Sequence, residues 1–304
     1  MLGKYHQPVL LGEILEGLKV KENAGRWFID ATLGDGGHSL AIVSLGANVL
    51  SIDVDPEAIE RVKDRLGKQL EESSLRLVRG NFRDLPQIVE RSGFKKGELA
   101  GVLFDLGVSS WQLESDKRGF SFSKTGPLDM RMDPELQVRA LDLVKALNAG
   151  ELNELFSKMG EEKYSRDLAK AVVSARQVKS IETTMDLARI AEQVYRRKKI
   201  KKQKINPATK IFQALRITVN DELSALEEGL PQALEVVGDQ GRIAVISFHS
   251  LEDRIVKNVF RRWQDEKLGK VLTSKPTLPQ AEEVEQNPRS RSAKLRIFEK
   301  GSNL

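Results

Sequence analysis

Three aspartates carry the first chemical argument. Asp30, Asp53 and Asp105 each close or nearly close a short apolar run, in RWFIDA, NVLSID and GVLFD, and the first leads into the glycine-rich segment DATLGDGGHS, Asp30 to Ser39. Gly34, Gly36 and Gly37 permit turns closed to bulkier residues and let a ligand approach the backbone. Asp53, 23 residues beyond Asp30, can accept both ribose hydroxyls of an adenosine group. Two cofactor classes use such an arrangement. A nicotinamide enzyme presents G-x-G-x-x-G, which seats a pyrophosphate on a helix N-terminus. Here the spacing is G-x-G-G with Asp35 between the glycines, an acid unwelcome to a pyrophosphate but tolerable to the sulfonium of S-adenosylmethionine. The residues point first to methyl transfer, and they leave open a dinucleotide enzyme and a non-catalytic α/β domain. Asp105 opens the loop LGVSSWQLES, with Ser109, Ser110 and Gln112 beside it. An acid at the carboxyl end of a central strand can orient a methyl acceptor, bind the amino end of the cofactor, or simply cap a helix. Asp55, next to Pro56, reads as a helix cap.

Positioning these groups requires alternating strands and helices. RWFIDA, NVLSID, LRLVRGNF and GVLFD read as four strands. Helices follow near His38, at Pro56 (with Ala58, Ile59, Val62 and Leu66 on one face) and after Asp84 as a cap. That alternation implies a parallel sheet with right-handed crossovers. It stops at a long polar loop, Ser109 to about Asp133, and the pattern from Leu136 to Arg197 is helical throughout. Pro207 then precedes one long amphipathic helix through Phe212, Leu215, Val219, Leu223, Leu226 and Leu230. RIAVISF is a fifth strand, Leu251 to Trp263 a helix, and KVLTSK and AKLRIFEK two last strands joined by the polar stretch Pro276 to Ser292. The expected division is 1–135 and 204–304 for the sheet domain, with 136–203 as a helical insertion.

Composition narrows the classes. With no cysteine among 304 residues, disulfides, iron–sulfur clusters, thiolate zinc and a cysteine nucleophile are excluded, and a reducing cytoplasm is the expected address. His6, His38 and His249 have no metal-ligand spacing, so no metal is expected. No apolar run is long enough to span a membrane, and MLGKYHQPVLLGE lacks the features of a secretory signal. A net charge of +5 says little, but Arg196 to Lys204, RRKKIKKQK, places seven cations in nine positions without an acid. Such a cluster can bind RNA backbone, or be a solvated helix end. The tail NPRSRSAKLR supplies Arg289, Arg291, Lys294 and Arg296, which either follow phosphates or complete an edge strand facing solvent.

DATLGDGGHS, GNF, FDLGVSSWQLESDKRGFSFSKTGPLDMRMD, PATKIFQALRITVNDELSALEEGL, VISFHSLEDRIVK and NPRSRSAKLR together resemble the bacterial 16S ribosomal RNA cytosine-N4 methyltransferases of the MraW type. The likeness runs from His6 nearly to the end, and the RGFSF–GPLDMRMD block is specific to that family. The resemblance implies a Rossmann-like class I S-adenosylmethionine-dependent methyltransferase fold with an inserted all-helical domain. It also implies S-adenosylmethionine as donor and cytosine 1402 of 16S rRNA, near the decoding centre of the small subunit, as acceptor. The family's cofactor contacts fall on Gly36, Gly37, His38, Asp53, Phe82, Asp105 and Gln112. Candidates for holding the target amine are Asp105, then the Ser109–Ser110 pair, then Asp129. A monomer or homodimer is expected. The alternative is an RNA-binding assembly factor that has kept the fold and lost the transfer. One departure stands out: where the family has His-Pro-Ala-Thr-Arg, this chain has Asn206, Pro207, Ala208, Thr209 and Lys210, which excludes an obligatory histidine base at 206 and loses a bidentate fork.

Overall fold

The computed structural model describes residues 8–68, 70, 74–200 and 206–302. The first part of the chain alternates as its sequence requires. It runs α1 (Leu11–Gly17), β1 (Trp27–Asp30), α2 (Gly37–Ser44), β2 (Asn48–Asp53), α3 (Pro56–Leu66), β3 (Leu75–Arg79), α4 (Leu85–Arg91) and β4 (Leu99–Asp105). Six helices follow with no strand of the main sheet among the described residues: α5 (Ser110–Glu114), α6 (Ala140–Ala146), α7 (Ala149–Lys158), α8 (Ser165–Val178), α9 (Thr184–Arg197) and α10 (Thr209–Asn220). The sheet then resumes through α11 (Glu222–Val236), β5 (Val237–Ser247), α12 (Ser250–Asp265), β6 (Gly269–Val271), α13 (Ala281–Gln286) and β7 (Lys294–Lys300).

The strand order is β3-β2-β1-β4-β5-β7-β6. β3 to β5 are parallel, and β7 lies antiparallel between β5 and β6. This is the open, doubly wound sheet of the class I methyltransferase fold. β4 is buried along its length up to Asp105, as a central strand covered on both faces must be. Adjacent strand residues serve opposite cores. Ile29, Leu50, Val102 and Ile243 join one core with Leu85, Leu226 and Val256, while Phe28, Val49, Leu103 and Ala244 join the other with Ile14, Ile42 and Ile59. Burying side chains of this size contributes roughly 1.5–3 kcal/mol each. The carboxyl ends of β1, β2 and β4 place Asp30, Asp53 and Asp105 along one edge of the sheet.

Two sequence expectations are corrected by packing. The helical unit runs from Val108 to Glu222, not 136–203. The loop after Ser109 and the helix after Pro207 bury Phe120, Leu128, Met130, Ile211, Phe212 and Leu215 in the same core as Phe156, Leu168 and Leu187. The helix expected from Pro207 through Leu230 is two, broken at Asp221, whose φ of 49° is left-handed. Aspartate tolerates that conformation better than most side chains, and the apolar spacing continues across it. Within the helical unit, α7 and α9 begin with reciprocal capping boxes, Asn148 with Glu151 and Thr183 with Asp186, which fix where each helix starts.

Candidate cofactor and methyl-transfer site

The turn after β1 is held by side chains sent to it from neighbouring strands. Gly34 has φ 53° and donates its N–H to Asp53 Oδ2 at 2.9 Å. Asp53 Oδ1 accepts from the Asp55 N–H at 2.9 Å. Gly36, φ 76°, is the residue before α2, a left-handed position that suits glycine. Burial pushes the Asp53 carboxyl up to about 6, against the two backbone N–H bonds that favour its charge. A carboxylate has about four acceptor sites, so one that spends two on backbone retains others for a ribose diol. Asp55 is the cap expected of it, accepting from the Glu57 N–H at 3.0 Å. Asp84 precedes α4 but makes no side-chain cap bond; Asn81 instead caps the preceding 3-10 turn through the Arg83 N–H at 3.0 Å.

Behind the turn lies a polar chain that spacing could not reveal. Asp30, 1% exposed, accepts from the Ser39 hydroxyl at 2.5 Å, and Ser39 lies 2.7 Å from the Ser51 hydroxyl of β2. Burial raises the Asp30 carboxyl to about 6. This chain ties β1, α2 and β2 together beneath the glycine turn. Alternation alone would have made Ser51 an inward strand residue.

Asp105 is the most unusual carboxyl. Its N–H donates to the Thr32 hydroxyl at 2.7 Å, pinning the end of β4 to the turn. Its Oδ2 faces His38 Nδ1 at 3.5 Å, while its buried Oδ1 has no hydrogen-bond partner. Burial, with the Glu252 charge nearby, lifts its carboxyl to about 7. A buried acceptor left without a donor is costly, and such groups cluster where ligands bind. Phe82, half-buried, meets Phe104 edge-on with centroids 5.4 Å apart. A Cβ added to Gly229 of α11 would come within 2.7 Å of the Phe82 ring, so that glycine makes room for an aromatic wall.

The structure changes one argument about Asp35. Arg61 pairs with its carboxyl at 3.2 Å, and Arg65 donates to its carbonyl at 3.0 Å. Its charge is therefore compensated, and repulsion of a pyrophosphate no longer separates the two cofactor classes. The unpartnered Asp105 oxygen takes over that weight, because it calls for a cationic or N–H-bearing ligand.

In the helical unit the expected residues take local roles. Ser109 Oγ caps α5, accepting from the Gln112 N–H at 3.2 Å, while Gln112 Oε1 accepts from the Ser109 N–H at 3.0 Å. Ser110 is the first residue of that helix. Asp129 is gripped by Arg131, with Nε to Oδ1 and Nη2 to Oδ2 both at 2.8 Å. Burial works upward on Asp129, but the guanidinium and the Arg131 N–H hold it below the usual range. Arg131 also donates to the Pro134 and Leu136 carbonyls. Asp129 is thus a clamp within its loop, not an open acceptor for an amine. Gly119, φ 74°, explains the glycine of RGFSF, since a Cβ there would collide with the Pro127 carbonyl. At the family's altered motif, Asn206 Oδ1 accepts from the Ala208 N–H at 2.8 Å and Lys210 Nζ donates to the Glu161 carbonyl at 2.6 Å. Both replacements fix the start of α10.

The basic regions divide in the same way. Arg196 to Lys199 are exposed at the end of α9, with Lys198 paired to Asp167 at 2.7 Å. Lys201 to Lys204 lie outside the described residues, as does His6. In the tail, Arg296 is 5% exposed and pairs with Asp253 at 2.7 Å, and Lys294 pairs with the same carboxylate at 3.2 Å. These two cations are committed to β7 packing on α12 and are not the phosphate contacts their sequence suggested. Arg289 and Arg291 are exposed.

Comparison with known proteins adds the lineage. Residues 3–301 match the MraW methylase family. The chain is 44% identical over 300 residues to the ribosomal RNA small subunit methyltransferase H of Coprothermobacter proteolyticus, covering 97% of this chain and 96% of that protein. It is 45% identical over 294 residues to the protein of the same name from Persephonella marina, covering 96% and 98%. A third, from Carboxydothermus hydrogenoformans, is 44% identical over 312 residues, with 97% of each chain covered.

Proposed function

Since the chain belongs to the MraW methylase family, we propose that it transfers a methyl group from S-adenosylmethionine to the N4 amine of cytosine 1402 in 16S rRNA, near the decoding centre of the small ribosomal subunit. The observation that carries the reading on structural grounds is Asp105, a partly buried carboxyl at the end of the central strand whose Oδ1 is buried and unpartnered. The residues fit the donor: Asp53 for the ribose, Phe82 for the adenine face, the Gly34–Gly37 turn for close backbone approach, and Asp105 for an N–H-bearing, cationic end. When bound, S-adenosylmethionine supplies an electrophilic methyl group on a sulfonium.

The protein's part is mainly placement. Cytosine N4 has its lone pair delocalised into the ring, so it attacks well only when one N–H is held by an acceptor and its line of approach is fixed. Asp105 and the Ser109–Ser110 pair are the residues we put forward for that hold; the Arg131 clamp removes Asp129 from the set. No strong base is required, because the amine becomes acidic on alkylation. Nothing in this scheme uses residue 206, in keeping with Asn206 there. The target base must leave its stack to be reached. A silent RNA-binding factor would have no use for an open carboxylate oxygen beside an intact glycine turn. Mass-spectrometric mapping of 16S rRNA from cells lacking the protein tests the proposal. The N4-methyl group at cytosine 1402 is expected to vanish and to return with the wild-type gene, and its persistence would defeat the assignment.

A further inference from the structure

His38 and Asp105 face each other in an arrangement that the transfer reaction alone does not explain. The His38 ring is buried, and its Nε2 lies 2.9 Å from the Val9 carbonyl. A carbonyl only accepts, so Nε2 carries the hydrogen. Burial lowers the affinity of His38 for a second proton, which leaves Nδ1 as a bare lone pair. Asp105 Oδ2 lies 3.5 Å from that nitrogen. Two acceptors that face each other in a partly buried site repel unless a proton lies between them. The other charged groups around the pair are acids: Asp30 on β1, Glu252 on α12 and Glu283 on α13. The Glu252 charge opposes ionisation of Asp105, whose Oδ1 has no donor of its own, while Asp30 and Glu283 act on His38 against the larger effect of its burial.

We propose that His38 is a positioning residue that holds Asp105 as a neutral acid until the cationic cofactor takes the proton's place, so that binding S-adenosylmethionine ejects one proton from the Asp105 carboxyl to solvent. The inference rests on the cofactor reading above. The balance is simple. The O–H bond of Asp105 breaks, its proton passes to buffer, and the carboxylate left behind pairs with the positive amino-acid end of the ligand. His38 keeps its Nε2–H bond to Val9 throughout and stays neutral. The exchange keeps an uncompensated charge out of the empty site and makes the strong, charge-assisted contact available only to a cation.

Calorimetric titration of the whole protein with S-adenosylmethionine, in pairs of buffers with different ionisation enthalpies, reads the proton directly. Release near one proton is expected at about pH 6 and little at about pH 8.5, with affinity weakening about tenfold per unit below about pH 7. His38→Leu removes the acceptor for the Asp105 proton together with the bond to Val9. It should move the break in affinity to lower pH, whereas loss of a merely structural residue would weaken binding equally at every pH. Asp105→Asn should bind weakly and release no proton. Release that persists in this variant would put the proton on Asp53 and overturn the assignment. Wild-type binding without proton release would overturn the inference while leaving the cofactor reading intact. Absence of binding at every pH would overturn both.

Discussion

Asp53 and Asp105 end strands on either side of β1 at the same end of the sheet, yet their chemistry differs. Asp53 already accepts two backbone N–H groups, which fix its orientation and leave lone pairs for ribose hydroxyls. Replacing it with alanine should weaken S-adenosylmethionine binding by about 10- to 100-fold, the worth of one or two charge-assisted hydrogen bonds; unchanged affinity in a folded variant would remove it from the site. Asp105 has a raised carboxyl, about 7 in the fold, against an unfolded value near that of a free aspartate. A group raised on folding stabilises fully below its unfolded pKa, and that stability is lost as pH rises through the folded value. Asp105→Asn mimics the neutral acid and can still donate to His38 Nδ1. The ligand-free variant should therefore melt on the order of a few degrees above wild type at about pH 8, the gap opening between about pH 4 and 7 and staying level above. A gap of constant size across that range would place the charge of Asp105 elsewhere. Both aspartates were visible in sequence because they terminate apolar runs. Their differing states were not, since Gly34 meets Asp53, and Thr32, His38 and Glu252 meet Asp105, only through the fold.

Elements decide what a run of like charges can do. In the tail, alternate residues of β7 point into the sheet, so Arg296 is drawn against Asp253 and Lys294 follows it. The preceding 3-10 turn, Pro288–Ser292, instead leaves Arg289 and Arg291 exposed. The segment is therefore not an edge strand, since β7 is paired with both β5 and β6; two of its four cations are spent on Asp253, and the phosphate reading is confined to the other two. Neutralising Arg289 and Arg291 together should flatten the slope of log affinity against log salt by about 1.5 on small-subunit RNA, at about 0.7–0.9 per phosphate contact. S-adenosylmethionine affinity should stay unchanged. An unaltered slope would mean that these arginines make no phosphate contact. The sequence contained the charges but not the partition, because Asp253 lies on α12, 43 residues away from Arg296.

At the scale of the whole molecule, hydrophobic periodicity located the strands and most of the longer helices, missed the short helices α1, α5 and α13, and could not say which core each element served. The helical unit shows this most clearly. Loop residues Phe120, Leu128 and Met130 and the α10 residues Ile211, Phe212 and Leu215 are buried with Phe156, Leu168 and Leu187, in a cluster separate from those on the two faces of the sheet. The loop that leads into the unit is itself ordered by α9: the Leu128 N–H donates to the Glu182 carbonyl at 3.2 Å, and the Thr184 N–H to the Gly126 carbonyl at 2.9 Å. A segment with its own core and its own tethered entry has what independent folding requires. Residues 108–222, expressed alone, should show helical circular dichroism and one cooperative thermal transition. Residues 136–203, the division that the helical pattern alone suggests, lack both the loop and α10. Truncating buried side chains of this size costs about 2–5 kcal/mol each, more in sum than a domain's usual stability of about 5–15 kcal/mol, so that shorter piece should unfold without a cooperative transition. Equal cooperativity in the two fragments would show that the loop and α10 contribute little to the helical core, and would restore the narrower boundary.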